Sequence, residues 1–199
     1  MTIRGPVLTL DNGVDLPAVG LGVYRSSPEE TVGAVTAALE TGYRMIDTAA
    51  AYFNEAEVGA GIRASGVARE EIFVQTKAWI SDYGEAEIVR ACERSLGKLG
   101  LATIDLYLLH QPAPAAFERV IAAWKGLERL LAEGRVRAIG VCNFSAAHLE
   151  RLMAAVEVIP AVNQVEVHPF FTQVSLRQAH ARLGIVTQAW SPIGGVNRY

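Results

Sequence analysis

An aspartate, a tyrosine, a lysine and a histidine follow one another as Asp47, Tyr52, Lys77 and His110, each at or just past the end of an apolar run. A tyrosine of ordinary pKa, ~10, is a poor acid at neutral pH. A lysine ammonium beside it stabilises the phenolate and lowers that pKa, each unit being worth ~1.4 kcal/mol. A carboxylate next to the lysine keeps the amine charged and oriented, and a nearby histidine can hydrogen-bond a substrate oxygen. Together they read as a tuned proton donor with a positioning group. A carbonyl protonated on oxygen needs a nucleophile on carbon. No activated serine or cysteine is evident, so a hydride from a bound cofactor is the natural complement.

Taken singly, each residue has an ordinary explanation. Asp47 suits a helix cap or a partner for Arg44, Lys77 a strand-end lysine with its stem buried, and His110 a core histidine. Asn143, Gln164 and Ser191 are common turn or cap residues. What sets them apart is where they fall. Apolar strand patterns at 19–24, 43–48, 71–79, 103–110, 135–144, 160–168 and 185–193 alternate with six amphipathic helical patterns. Ser27, Pro28 and Glu30 form a capping-box start for the first helix, and Ser145 caps the fifth. Asn12-Gly13, ahead of all this, predicts a two-residue hairpin turn.

From the second strand to the seventh, each has a polar residue at or just past its C-terminal end: Asp47, Lys77, His110, Asn143, Gln164 with His168, and Ser191. Val-, Ile- and Leu-rich strands separated by helices argue for a parallel sheet covered on its faces. In an open sheet those residues would be strung along several strands. In a (β/α) barrel they share one mouth.

The chain has 199 residues, 51% hydrophobic and 20% charged, with a formal net charge of −3. That supports one globular domain over 1–199 and gives no electrostatic reason to expect nucleic acid or an anionic membrane. No window approaches the ~18 apolar residues of a spanning helix, and the N-terminus lacks a signal-peptide pattern, so a cytoplasmic protein is expected. Cys92 and Cys142, the two cysteines, read as reduced core thiols. One-domain barrels take about 250 residues, so this chain is short by more than one unit.

In order and spacing, "GYRMIDTAAAYFNEAEVG", "KAW", "LYLLHQP", "IGVCNF", "VNQVEVHP" and "AWSPIG" resemble the aldo-keto reductase family, in particular its bacterial 2,5-diketo-gluconate reductase-like members. The resemblance covers essentially the whole chain. It implies an α/β fold, a (β/α)8 TIM barrel closed below by an N-terminal β-hairpin, and NADPH-dependent reduction of aldehydes and ketones to alcohols. Tyr52 would be the general acid, assisted by Lys77 and Asp47, with His110 orienting the carbonyl. Asn143 and Gln164 would hold the nicotinamide carboxamide, Trp190 would stack on the ring, and Ser191, Pro192 and Ile193 would follow the cofactor. Gly22 and Val23 would flank it near Asp47, with Tyr24 and Trp79 on the substrate side. No metal is implied.

Two departures follow from the same resemblance. Gln111 replaces the aromatic that often follows the family's histidine, which makes the expected pocket wall more polar. Members also continue past "SPIGGVNRY" through an eighth strand that contacts the 2′-phosphate. The expectation is therefore a barrel that stops after its seventh strand, with NADPH selectivity weakened and self-association through the open edge. Three rivals stand against the reductase. A metal-dependent hydrolase would use Asp47, His110 and His168, but needs a His-x-His pair absent after the first strand. A Schiff-base lyase would use Lys77. A catalytically silent barrel would only bind a nucleotide or a partner.

Overall fold

The structure, a computed structural model, describes residues 5–194. It begins with an antiparallel hairpin, β1 (Val7–Thr9) and β2 (Asp15–Pro17). The connection is longer than the two-residue turn expected from Asn12-Gly13. It spans residues 10–14, closed by Leu10 N–H to Val14 O at 2.9 Å and Gly13 N–H to Leu10 O at 2.9 Å, with Gly13 at φ +79°. Asn12 is occupied elsewhere: its Oδ1 accepts from Val14 N–H, and its Nδ2 donates to Arg137 O at 3.0 Å. A turn side chain thus ties the hairpin to the sheet.

That sheet is all parallel and runs in sequence order: β3 (Leu21–Gly22), β4 (Met45–Asp47), β5 (Phe73–Ala78), β6 (Ile104–Leu109), β7 (Val136–Cys142), β8 (Val162–Glu166) and β9 (Val186–Trp190). Between successive strands from β3 run α1 (Pro28–Glu40), α2 (Glu55–Ala64), α3 (Glu85–Leu99), α4 (Phe117–Ala132), α5 (Ala146–Met153) and α6 (Val174–Leu183). Both capping boxes form: Ser27 with Glu30 on α1, and Ser145 with His148 on α5. The first barrel strand shrinks from the expected 19–24 to two residues, although Val23 N–H still donates to Asp47 O at 3.1 Å before Arg25 turns the chain at φ 64°.

The curl of the sheet follows from its side chains. Neighbouring parallel strands lie ~4.8 Å apart, so β5 and β9, four strands removed, would stand ~19 Å apart if flat. Instead Gln75 Nε2 on β5 donates to Gln188 Oε1 on β9 at 2.9 Å. The sheet therefore wraps around a lumen. Among the described residues it supplies seven barrel strands, and β3 and β9 do not pair with each other.

Alternation sorts each strand. Outward residues such as Val74, Tyr107, Leu109, Ile139 and Val141 join Val35, Leu39, Ile88, Leu96, Trp124 and Leu127 of the helices in the larger core. Inward residues Met45, Phe73, Leu106, Leu108, Ala138 and Val162 make a second core, which Leu10 and Leu16 of the hairpin plug from below. The lower lumen is thus apolar, and polar side chains are displaced toward the strand C-termini.

His180 anchors the last helix to the sheet. It is fully buried, with Nε2 2.9 Å from Asn163 Nδ2 and Nδ1 2.8 Å from Thr187 Oγ1. An amide nitrogen can only donate, so Nε2 must carry the lone pair and Nδ1 the proton. Burial pulls its pKa from 6.5 to about 4. A depressed histidine contributes stability at neutral pH that is lost as pH falls below the unfolded value. His180 should therefore account for a loss on the order of 2 kcal/mol between about pH 7 and about pH 5 in urea unfolding, and His180→Gln should reduce the slope by about that share. An identical pH slope in the variant would remove His180 from the account.

Candidate active site

Asp47 ends β4 and Lys77 lies one residue from the end of β5, with Asp47 registered opposite Gln75. Lys77 is fully buried. Its Nζ donates to Asp47 Oδ1 at 2.6 Å, to Oδ2 at 2.8 Å and to Thr48 O at 3.0 Å. Arg44, the alternative partner for Asp47, instead donates to Leu39 O and Tyr43 O and pairs with Glu71. Burial penalises the ammonium, but Asp47 and the hydrogen bond to it outweigh that cost and raise the Lys77 pKa above the usual lysine range.

Tyr52 closes a single 3-10 turn, Ala50–Tyr52, that ends on Phe53 at φ 59°. The loop is held from behind by Asn54, 1% exposed. Its Oδ1 accepts from Thr48 Oγ1 at 2.7 Å, and its Nδ2 donates to Val23 O at 2.9 Å. Glu55, the next residue, accepts from Thr76 Oγ1 at 2.8 Å and so fastens α2 to the strand that carries Lys77. A left-handed non-glycine residue between Tyr52 and Asn54 is the backbone cost of aiming the phenol inward.

The Tyr52 ring lies 5.1 Å from Lys77 Nζ, 4.9 Å from the Tyr24 ring and edge-on to His110 at 5.7 Å. Trp79 meets the other side of His110 edge-on at 5.1 Å. Two opposing effects act on the phenol. Burial pushes its pKa up, the Lys77 ammonium pulls it down, and the net direction is upward. The simple expectation of a lowered phenol pKa is therefore corrected: Lys77 limits a rise that burial causes.

His110 is 8% exposed. Burial, then the Lys77 charge, depress it from 6.5 to about 3, so it is a neutral imidazole across the physiological range. A neutral imidazole has one N–H to donate to a substrate oxygen and adds no charge next to Lys77.

Asn143 follows β7 at φ 65°. Its Nδ2 donates to His110 O at 3.2 Å, and its Oδ1 accepts from Trp190 Nε1 at 2.9 Å. The Asn163 amide that His180 holds also clasps Phe144, donating to its carbonyl at 2.8 Å, so α6 helps fix the Asn143 turn.

A cavity of about 1530 Å³ runs through the lumen to its mouth, and its lining includes Gly22, Tyr24, Asp47, Tyr52, Trp79, His110, Asn143, Gln164, Trp190, Ser191, Pro192 and Ile193. Gln111 and Cys142 also line it. Burial pushes the Cys142 thiol up to about 12, so it is a weak S–H donor there rather than a nucleophile. Val23 is set apart: its side chain is fully buried in the outer core, and its backbone meets the site, donating to Asp47 O at 3.1 Å and accepting from Asn54. His168 also lies away from the cavity and pairs with Glu166 at 3.2 Å. Gln75 and Gln188 join the lumen without having been singled out, although each stands two residues before a site residue on the same face of its strand, Lys77 and Trp190.

The geometry matches known proteins over nearly its whole length. Residues 18–197 fit the family model described as the aldo/keto reductase family. Morphine 6-dehydrogenase of Pseudomonas putida is 53% identical over 195 residues, 98% of this chain and 66% of that protein. An aldo/keto reductase crystal structure from Brucella melitensis superposes with a TM-score of 0.93 at 45% identity, covering 98% of this chain and 75% of that one. A Bombyx mori aldo-keto reductase crystallised with NADP gives 0.88 at 39% identity, covering 96% and 67%. The chain thus spans about two thirds of the length of its curated relatives. With residues 18–197 matched and half of all positions identical to such a relative, the chain belongs to the aldo/keto reductase family.

Proposed function

We propose that this chain carries the proton-donating and nicotinamide-binding machinery of an NADPH-dependent reductase that converts aldehydes and ketones to alcohols, with Tyr52 as general acid. The observation that carries the proposal is the Asp47–Lys77 pair beneath the Tyr52 ring, with neutral His110 edge-on to that ring in the same cavity. A fully buried ammonium held by a carboxylate is a costly element in a fold. Its use here is to ease the departure of a proton from the phenol.

The mouth fits a dinucleotide's nicotinamide end. Asn143 and Gln164 present amides, the Trp190 indole is held by Asn143, and Gly22 lines the same mouth. When bound, the reduced nicotinamide supplies the hydride. The protein's own steps are three. His110 N–H and the Tyr52 hydroxyl converge on the substrate oxygen and orient it. Tyr52 gives its proton to that oxygen as charge develops there. Lys77, kept charged by Asp47, stabilises the phenolate left behind. Tyr24, Trp79 and Gln111 line the substrate side.

Steady-state assay of the purified chain with NADPH and a reactive aldehyde tests the proposal. The expected result is one alcohol formed per NADPH consumed. Tight dinucleotide binding with no turnover at any aldehyde concentration would favour the silent, nucleotide-binding barrel instead.

A further inference from the structure

We infer that Gln75 and Gln188 are positioning residues that lock the Gln164 side-chain amide in one orientation, so that the site offers a hydrogen-bond acceptor to the carboxamide of a bound dinucleotide. The inference rests on the proposed function for its ligand and on the lumen geometry for everything else.

Strand register brings the four partners together. Asp47 is registered with Gln75, and Gln164 with Gln188, so two pairs from opposite walls meet across the lumen. Asp47 Oδ1 accepts from Gln75 Nε2 at 2.6 Å and from Gln164 Nε2 at 3.3 Å. Gln188 Oε1 accepts from the same two nitrogens, at 2.9 Å and 2.8 Å. Each amide NH2 has two protons, and both are used.

The directions cannot be exchanged one at a time. An ionised carboxylate only accepts, so Gln75 and Gln164 must turn nitrogen toward Asp47. Two nitrogens then face Gln188, which must answer with oxygen. Among the described residues its own Nε2 meets only Met45 Sδ, at 3.7 Å, so the working atom of Gln188 is its carbonyl. Rotating the Gln164 amide by half a turn would set its oxygen against both the Asp47 carboxylate and Gln188 Oε1. With that rotation blocked, Gln164 Oε1 is turned away from this cluster, toward Cys142 Sγ at 3.7 Å, a weak and replaceable donor. Because the direct Gln164–Asp47 contact is long, the shorter bond to Gln188 is the stronger constraint.

Packing alone does not ask for these residues. Gln75 is fully buried and its Oε1 meets no donor among the described residues, so an aliphatic side chain would fill the space at lower cost. The amide is needed as a donor to two acceptors, and Gln188 as an acceptor for two donors.

The test uses the purified 199-residue chain and two substitutions. Gln188→Glu keeps an oxygen acceptor for both nitrogens; Gln188→Leu removes it. In the cofactor-free protein, the Gln164 side-chain amide protons, assigned by their loss in Gln164→Leu, should exchange slowly with solvent in wild type and in Gln188→Glu. In Gln188→Leu they should shift toward free-amide positions and exchange at least about tenfold faster. Calorimetry then compares NADPH with its 3-acetylpyridine analogue, which has a methyl group where the carboxamide has its NH2. Wild type and Gln188→Glu should prefer NADPH by about tenfold, the worth of one such hydrogen bond, and Gln188→Leu by no more than about twofold. Unchanged amide resonances in Gln188→Leu, or a preference lost in Gln188→Glu, would overturn the inference. If wild type binds neither dinucleotide, the proposed function fails, and the amide resonances still decide whether Gln188 locks Gln164.

Discussion

Tyr52→Phe should lower kcat by about 10²- to 10⁴-fold, the usual worth of a positioned acid, while NADPH affinity stays within about twofold of wild type. The substitution removes one hydroxyl and keeps the ring. The phenylalanine still packs against Tyr24, still presents its edge to His110 and still lies over the Lys77 ammonium, since those contacts use ring atoms. The loop does not depend on the hydroxyl either. It is held by Tyr52 N–H to Ala49 O and by the buried Asn54 amide. A fall in kcat without a change in cofactor affinity is the signature of an interaction made at the chemical step alone. Steady-state kinetics and calorimetry on the two proteins check this, and turnover within a few-fold of wild type would remove Tyr52 from the mechanism.

How far such a site can be read from sequence depends on which forces are local. The first helix was legible in detail, because a Ser-Pro-x-Glu start is decided within four residues, and the Ser27–Glu30 box forms as read. The strand ends carrying Asp47, Lys77, His110 and Asn143 were legible for a related reason: alternation and a polar stop are properties of short segments. The Asn12-Gly13 turn was misjudged because the Asn12 side chain is claimed by Arg137, 125 residues away. The resemblance set Val23 beside the cofactor with Gly22; strand alternation turns its side chain to the helices and fully buries it, which leaves its backbone to face the site.

Gln75 and Gln188 carried a visible signal, a long amide at alternate spacing in otherwise apolar strands. Their partnership depends on the curl that brings β5 against β9, and no local pattern contains that. The direction of the Tyr52 pKa was lost in the same way. A neighbouring ammonium can be argued from spacing, but the desolvation that outweighs it is a property of the assembled wall.

That balance makes Lys77 the more revealing residue to change. Lys77→Met should cut kcat by two or more orders of magnitude and move the Tyr52 phenol pKa further up, with the alkaline limb of the rate profile moving up or leaving the accessible range. In the wild-type chain burial raises the phenol pKa, Lys77 opposes, and Asp47 adds a smaller upward push. Removing the ammonium leaves these upward effects unopposed. Asp47→Asn deletes one of them but also removes the carboxylate that keeps the buried Lys77 charged, so it should lower the Lys77 pKa and weaken the ammonium's pull on the phenol.

Linkage fixes the accompanying stability change. A raised phenol pKa contributes stability below the unfolded value of ~10 that is lost as pH climbs toward the folded value, so Lys77→Met should extend that loss to higher pH. The variant also strands a half-buried carboxylate, which costs about 3–5 kcal/mol when a buried pair is broken, although Gln75 and Gln164 still donate to Asp47 Oδ1. Should that cost prevent purification, Lys77→Arg keeps the charge in a bulkier and differently hydrogen-bonded form and should leave the phenol near its wild-type pKa. The phenol can be followed without turnover, as the ultraviolet difference between each protein and its Tyr52→Phe counterpart during alkaline titration. An unchanged phenol titration in Lys77→Met would mean that the phenol is tuned by something other than this pair.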